Sequence, residues 1–282
     1  MKKNILILIL LIKSISILAQ DFIETDKTAF SRKGKLYFYW GWNGSDYTKS
    51  NISFSGDDYS FTLKHVKATD RQSEFSVDKY LNPANMTIPQ YNFRLGYYFS
   101  KNWDISFGID HMKYVMVQDQ NVSIDGTINS GSNYDGGYYN DQITLSDDFL
   151  KFEHTDGLNY VNTEIRYNAL LLNSKHINLE FIKGIGLGIL YPKTNTTLLN
   201  KERYDDFHLS GWGIGGVMGL RIEIFKRFFI QTEHKYGYIN MPNIRTTLNE
   251  SDSAQQSFFY SQRAIVFGGI FNLSSASKIK KK

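Results

Sequence analysis

The stretch Pro89-Gln-Tyr-Asn-Phe-Arg-Leu-Gly-Tyr-Tyr-Phe-Ser-Lys-Asn-Trp-Asp-Ile-Ser-Phe-Gly-Ile-Asp110 decides the fold. Its first half sets Tyr91, Phe93, Leu95, Tyr97 and Phe99 against Gln90, Asn92, Arg94 and Gly96. Its second half sets Trp103, Ile105, Phe107 and Ile109 against Asp104, Ser106, Gly108 and Asp110. A period of two with unlike faces marks a β-strand. Ser100-Lys101-Asn102 between the halves is short enough to be only a turn. The segment therefore reads as a hairpin with one greasy face and one charged or glycine-rich face.

The same alternation recurs along the chain. Working outward, the sequence predicts strands over Lys35–Tyr47, Pro89–Phe99, Trp103–Val117, Gly157–Leu172, Ile177–Pro192, Leu209–Phe225, Phe228–Asn240 and Phe258–Leu273. The connections at 100–102, 173–176 and 226–227 are tight, whereas those at 48–88, 118–156, 193–208 and 241–257 are long. Long and short alternate strictly, which puts every long loop at one end. That is the arrangement of an outer-membrane barrel, with short periplasmic turns and long outward loops. Closure also gives every backbone amide in lipid a partner and leaves no edge. The fold class expected is thus all-β: an eight-stranded antiparallel up-and-down transmembrane β-barrel with long extracellular loops.

Assigning the aromatic and aliphatic face to lipid leaves Arg94, Glu164, Arg166, Glu180, Arg221, Glu223, Gln231, Glu233, Lys235 and Gln262 facing inward. An eight-stranded barrel is only wide enough for side chains to fill it. The charges must then pair with one another, and the expectation is a salt-bridged core and not a pore. Strict alternation also puts Lys183, Thr232 and His234 on the lipid face, where an outward Lys at mid-depth costs up to ~2–4 kcal/mol. Snorkelling or a bulge near Gly184 would relieve it.

Composition agrees. The 282 residues include 19 Tyr, 20 Phe and 4 Trp, far too aromatic for a disordered chain. A mean hydropathy of −0.36 is too polar for a helical membrane bundle. The absence of Cys excludes disulfide scaffolds, thiolate metal sites and cysteine nucleophiles. Lys2 and Lys3, the apolar run Ile5–Ile12 and the closing Ile17-Leu18-Ala19 have the order of a secretory signal over residues 1–19. Residues 20–34 are then a periplasmic lead-in, 35–273 the barrel and 274–282 a periplasmic lysine-rich tail. The net charge of +4 resides in the two ends, so it is no sign of a nucleic-acid partner.

On the strength of Ala19-Gln20, the eight alternating strands and the final Ala264-Ile-Val-Phe-Gly-Gly-Ile-Phe271, the chain resembles the small outer-membrane β-barrel proteins of Bacteroidota. Their architecture is like the membrane domain of outer-membrane protein A. The resemblance implies outer-membrane lipids as surroundings and barrel-assembly machinery, which reads such a last strand, as a partner during biogenesis. It does not imply one activity, because this barrel type hosts anchors, adhesins, channels for apolar compounds and lipid-modifying enzymes.

Candidate sites are few. His154-Thr-Asp-Gly-Leu-Asn159 is similar to the His-x-Ser-Asn segment of outer-membrane lipid A deacylases, with Glu164 further along as the orienting carboxylate. Asp156 stands where the serine nucleophile would be, so only a water-activating pair of His154 and Asp156 remains. The alternative is a plain polar strand entrance with Glu164 paired to an interior arginine. His111 and His234 face outward near the interface, where an aromatic-belt role suffices. Residues 118–153 are acidic, and Asp119, Asp125, Asp135 and Asp141 are candidate calcium ligands, although their spacing matches no known cage. Tyr59–Val66 still alternates, so the first hairpin extends above the membrane and could bind a surface glycan or protein. The glycine runs 184–188 and 211–216 precede no helix and cannot cradle phosphate. No cofactor is expected. A non-enzymatic outer-membrane barrel in envelope integrity or surface binding is the preferred reading, with an outer-leaflet lipid hydrolase and a narrow channel for apolar compounds as alternatives.

Overall fold

The computed structural model describes residues 31–272 apart from 83, 86, 87 and 205. The signal segment, most of the lead-in and the lysine tail lie outside the described residues. In chain order the elements are β1 (Lys35–Tyr47), β2 (Ser50–Ser55), β3 (Tyr59–Val66), β4 (Ala68–Thr69) and the short helix α1 (Val77–Leu81). Then come β5 (Tyr91–Tyr98), β6 (Trp103–Met116), β7 (Asn121–Ile128), β8 (Gly136–Thr144), β9 (Leu150–Asn173) and β10 (Ile177–Leu190). The chain finishes with β11 (Asn195–Leu198), β12 (Gly211–Ile224), β13 (Phe228–Arg245) and β14 (Ser253–Asn272).

Eight of these form a closed antiparallel ring in the order β1-β5-β6-β9-β10-β12-β13-β14, and β14 pairs back onto β1 from Lys35↔Asn272 to Tyr47↔Tyr260. The turns joining β5–β6, β9–β10 and β12–β13 share one end. At that end Phe99, Trp103, Phe225, Phe228 and Phe271 are exposed on the outside. Ten residues up each strand, at ~3.3 Å per residue and a tilt of ~40°, the climb is about 25 Å, the height of a barrel's lipid belt. Over that height Leu95, Ile105, Ile165, Ile185, Leu187, Ile214, Leu220 and Ile265 stand outward and exposed. Trp42, Tyr91, Tyr191, Trp212, Tyr236 and Tyr238 close the belt at its upper edge.

Above the belt the strands continue, and their polarity inverts. In β6 the outward apolar set ends at Ile109, and Met112, Tyr114 and Met116 are buried on the inside. The upper part of β9 buries Leu150, Phe152 and Leu158, while β13 buries Ile239, Met241 and Ile244. Lipid solvates apolar groups below this level and water does not above it, so the greasy face must turn inward. A four-stranded extension, β2-β3-β7-β8, leaves the ring from β14 through the Ser253–Gln256 pairing with β2. It packs Ile52, Phe54, Phe61, Leu63, Val122 and Ile124 onto that inverted face in one continuous apolar core.

Three expectations are corrected here. The long connection 118–156 is not an irregular loop but holds the β7–β8 hairpin and the start of β9, which begins at Leu150 and not Gly157. The 48–88 connection is a separate β2–β3 hairpin followed by β4 and α1, and not a longer first barrel hairpin. The bulge beneath Lys183 falls at Leu179/Glu180 and not near Gly184.

Three inward glycines, Gly96, Gly237 and Gly268, each lie under a ring from the neighbouring strand, that of Tyr37, Tyr260 and Phe229 respectively. A Cβ on Gly96 would lie 2.2 Å from ring carbons of Tyr37. Gly96→Ala is therefore expected to displace Tyr37 and to cost about 1–3 kcal/mol, as overpacking does. Gly216→Ala, whose nearest neighbour would be 3.7 Å away, is expected to be near neutral. Urea midpoints in lipid vesicles compare the two; equal midpoints would contradict the ring-over-glycine account.

Candidate functional site

Among the described residues the lumen gathers the buried charges, and it has two storeys. In the lower one Arg94, Glu164, Arg166, Glu180, Arg221, Glu223, Glu233 and Lys235 are all buried. Inward positions of successive ring strands meet there because side chains of even number on β5, β6, β9, β10 and β14, and of odd number on β1, β12 and β13, point to the axis. Glu164 on β9 receives three cations. Arg166 reaches it through Nε at 2.6 Å, Arg94 through Nη2 at 2.9 Å and Lys235 through Nζ at 2.9 Å. Arg166 also donates to Glu233 at 2.6 Å, and Lys235 to both oxygens of Asp110 at 2.8 and 2.9 Å. Nearer the turns, Arg221 donates to Gln231 at 2.6 Å and to the Tyr98 hydroxyl, and approaches Glu180 at 3.8 Å.

Several members of this network were not singled out in the sequence. Tyr39 donates to Glu233 at 2.9 Å and accepts from Arg94 and Arg166 at 3.1 and 2.9 Å. Tyr37 donates to Asp104 at 2.7 Å. The signal was available, since Tyr37 and Tyr39 share the inward parity of β1 and Asp104 and Asp110 that of β6. Arg32 had no such signal: it precedes the first strand, yet it folds into the lumen and pairs with Glu180 and Glu223. A buried charge left unpaired costs several kcal/mol, which is why each ion here touches more than one partner.

The upper storey is largely apolar. Tyr160 and Tyr260, with ring centroids 6.3 Å apart, lie between the charged layer and the apolar core above. Over them Tyr114 stacks on Phe258 at 5.0 Å, and Phe54 packs edge-on against Phe152 at 5.7 Å.

His154 belongs to this upper core. Its ring lies against Tyr114 and Phe152, Nδ1 is 2.9 Å from Thr194 Oγ1, and Nε2 has no partner among the described residues. It stands above the lipid belt, and burial pushes its pKa down to about 3. Asp156 is turned the other way. Met112 pairs with Leu158 but Tyr114 with His154, so β9 carries extra residues at 155–157. That bulge leaves the Asp156 side chain 62% exposed, 3.5 Å from Lys193. Glu164 is ten residues from His154 along one strand, about 30 Å at strand rise, and is held by the lumen cations. The three candidates do not converge, and the hydroxyl beside His154, that of Thr194, is buried with it in the core, out of reach of a substrate at the surface.

The acidic candidates are dispersed as well. Asp125 pairs with Lys64 at 2.5 Å, which holds its carboxyl below the usual range. Asp135 accepts from the backbone of Gly131 at 2.8 Å and Ser130 at 2.9 Å, Asp141 accepts from the Tyr139 backbone at 2.8 Å, and Asp119 sits at a positive-φ turn. Among the described residues no group of three or more His, Asp or Glu side chains is placed to hold a metal. On the lipid face, Lys183 Nζ lies 5.8 Å from the Tyr167 ring centroid, and His234 stacks on Tyr236 while bonding Ser261 at 3.0 Å. His111 stacks on Tyr91 and reaches Asn159 at 2.8 Å.

A closed eight-stranded ring with an apolar belt outside and paired charges inside defines an integral β-barrel of the outer-membrane class. No protein-family model matches the sequence, and no curated protein does either. Among solved structures the chain is similar to the outer membrane protein OprG from Pseudomonas aeruginosa, at 12% identity and a TM-score of 0.43, over 86% of this chain and 98% of that one. It is also similar to Ail, the attachment invasion locus protein of Yersinia pestis, at 9% identity and 0.28, over 85% and 99%. Neisserial surface protein A gives 10% identity and 0.29, over 82% and 96%.

Proposed function

We propose that this is a non-enzymatic outer-membrane protein whose barrel is a closed anchor and whose β2-β3-β7-β8 extension is the working part, held rigidly outside the outer leaflet. The long-loop end is extracellular and both termini are periplasmic, the usual disposition for barrels with short turns on one side. Outer-membrane lipids surround it, and barrel-assembly machinery reads Ala264–Phe271 during insertion. The role is envelope integrity or surface binding of a glycan or protein.

The observation that carries this reading is the doubly filled lumen, charged below and apolar above. Ions and apolar solutes each meet a storey that rejects them. Purified protein in planar bilayers is expected to stay electrically silent; a steady, reproducible single-channel conductance would remove the anchor reading in favour of transport. The separation of His154, Asp156 and Glu164 argues against the hydrolase. Lipid A mass spectra from cells with and without the gene are expected to be identical.

A further inference from the structure

The segment between β4 and β5 is dressed inside out. Phe75, Val77, Leu81 and Ile88 are 76%, 66%, 63% and 46% exposed. Its polar groups meanwhile turn on one another. Asp78 accepts from Asn82 and Asn85, both at 2.8 Å, Tyr80 donates to the Ser73 carbonyl at 2.8 Å, and Ser76 caps α1 by accepting from the Lys79 backbone at 3.1 Å. A segment bathed in water would show the reverse. It is also fixed in place: Lys113 donates to the Ile88 carbonyl at 3.1 Å, and Asp70, just before it, accepts from the Ser45 backbone at 2.8 Å and from Gln90.

Its position identifies the occupant. A chain of rings runs from Phe75 to Tyr80 at 5.3 Å and from Tyr80 to Trp42 at 5.7 Å. Trp42 in turn meets Trp40 at 4.9 Å and Phe267 at 5.8 Å on the outer wall of the barrel. The exposed apolar side chains are thus continuous with the lipid belt, at its upper edge. We infer that residues 75–82 form an interfacial wedge that lies in the headgroup–acyl boundary of the leaflet at the long-loop end, with Phe75, Val77 and Leu81 seated among the acyl chains. This is the behaviour of an amphipathic element lying in the membrane plane, here fastened to a barrel wall. It gives that leaflet a perturbed patch on the β1–β5 side alone.

The inference rests on the transmembrane reading of the barrel, and the test separates the two. The chain has no native Cys, so single cysteines report cleanly. Nitroxide labels are placed by Val77→Cys and Leu81→Cys, by Leu187→Cys on the belt, and by Tyr139→Cys at the tip of the extension, where the native side chain is 87% exposed. The protein is reconstituted in phosphatidylcholine nanodiscs, and collision with oxygen is compared with collision with a water-soluble nickel chelate. The expected result is that labels at 77 and 81 favour oxygen severalfold over the chelate relative to 139, at a depth shallower than 187. Labels at 77 and 81 that match 139, while 187 remains lipid-exposed, overturn the wedge and leave the barrel intact. Occlusion of 77 and 81 from both colliders means a protein surface covers them and also overturns it. A chelate-accessible 187 would instead contradict the transmembrane reading itself.

Discussion

Arg166→Met is expected to destabilise the folded barrel by about 3–5 kcal/mol, the cost of breaking a buried pair by deleting one partner. The guanidinium contacts Glu164 at 2.5 Å, Glu233 at 2.6 Å and the Tyr39 hydroxyl at 2.9 Å, and its side chain has no exposed area. Removing it keeps most of the apolar stem but leaves Glu233 with only Lys235 at 3.8 Å as a charged neighbour. Glu164 is better supplied, since Arg94 and Lys235 remain. The penalty should therefore reside at Glu233. Arg166→Met combined with Glu233→Gln should recover a substantial part of the loss, whereas Arg166→Met with Glu164→Gln should recover little and leave Arg94 with Asp110, at 3.9 Å, as its carboxylate partner. Urea titrations in lipid vesicles, read by the mobility shift of folded barrels, supply the three midpoints. If the single variant costs less than about 1 kcal/mol, or both doubles behave alike, the lumen does not work as a charge-balanced core.

The barrel was legible because its rule is uniform: over the belt, every ring strand puts apolar residues at one parity and polar ones at the other. The tight turns at 100–102 and 226–227 fix the register. Above the belt the period is the same but the sign changes, so a reading that equates the greasy parity with lipid stops too early. Leu150, Phe152 and Leu158 share the inward parity of Glu164 and Arg166 along β9. Seen as strand, they extend it by seven residues; seen against a lipid rule, they are noise. The β7–β8 hairpin was hidden for a different reason. A register shift at Ile124/Asp125 interrupts its alternation, and β8 is exposed along most of its length. An edge strand with little to bury leaves almost no hydrophobic periodicity to detect. Arg32 could not be placed at all, because nothing in a residue ahead of the first strand says that it folds back beneath Glu180 and Glu223.

Acidification should loosen the upper storey before the belt. His154 is neutral when folded, with burial holding its pKa to about 3 against an ordinary value of 6.5. Below pH 6.5 the unfolded or locally opened segment takes up a proton that the folded one refuses. Stability is then fully present above about pH 6.5 and falls as pH drops, by about 1.4 kcal/mol per unit until the folded pKa is reached. Between pH 6.5 and 4.5 the loss is about 2–3 kcal/mol, large against the opening energy of a single core layer. The other titratable side chain against His154 is Tyr114, whose hydroxyl burial raises to about 12, so it is silent in this window. Hydrogen exchange of the backbone amides of Tyr114, Met116 and Phe152 should accelerate between those pH values beyond the intrinsic rate change, while Ile185 and Leu220 in the belt do not. His154→Leu removes the group that titrates against this core between those pH values and should abolish the acceleration, at a cost in stability near neutral pH from the lost contact with Thr194. Identical acceleration in the wild type and His154→Leu would mean that carboxylates elsewhere drive the opening. No excess acceleration in the wild type would mean that the ring reaches water as the layer stands. A histidine so placed titrates as a latch on packing; a base in an active site needs one ring nitrogen within reach of a substrate proton, and the fully buried His154 offers neither.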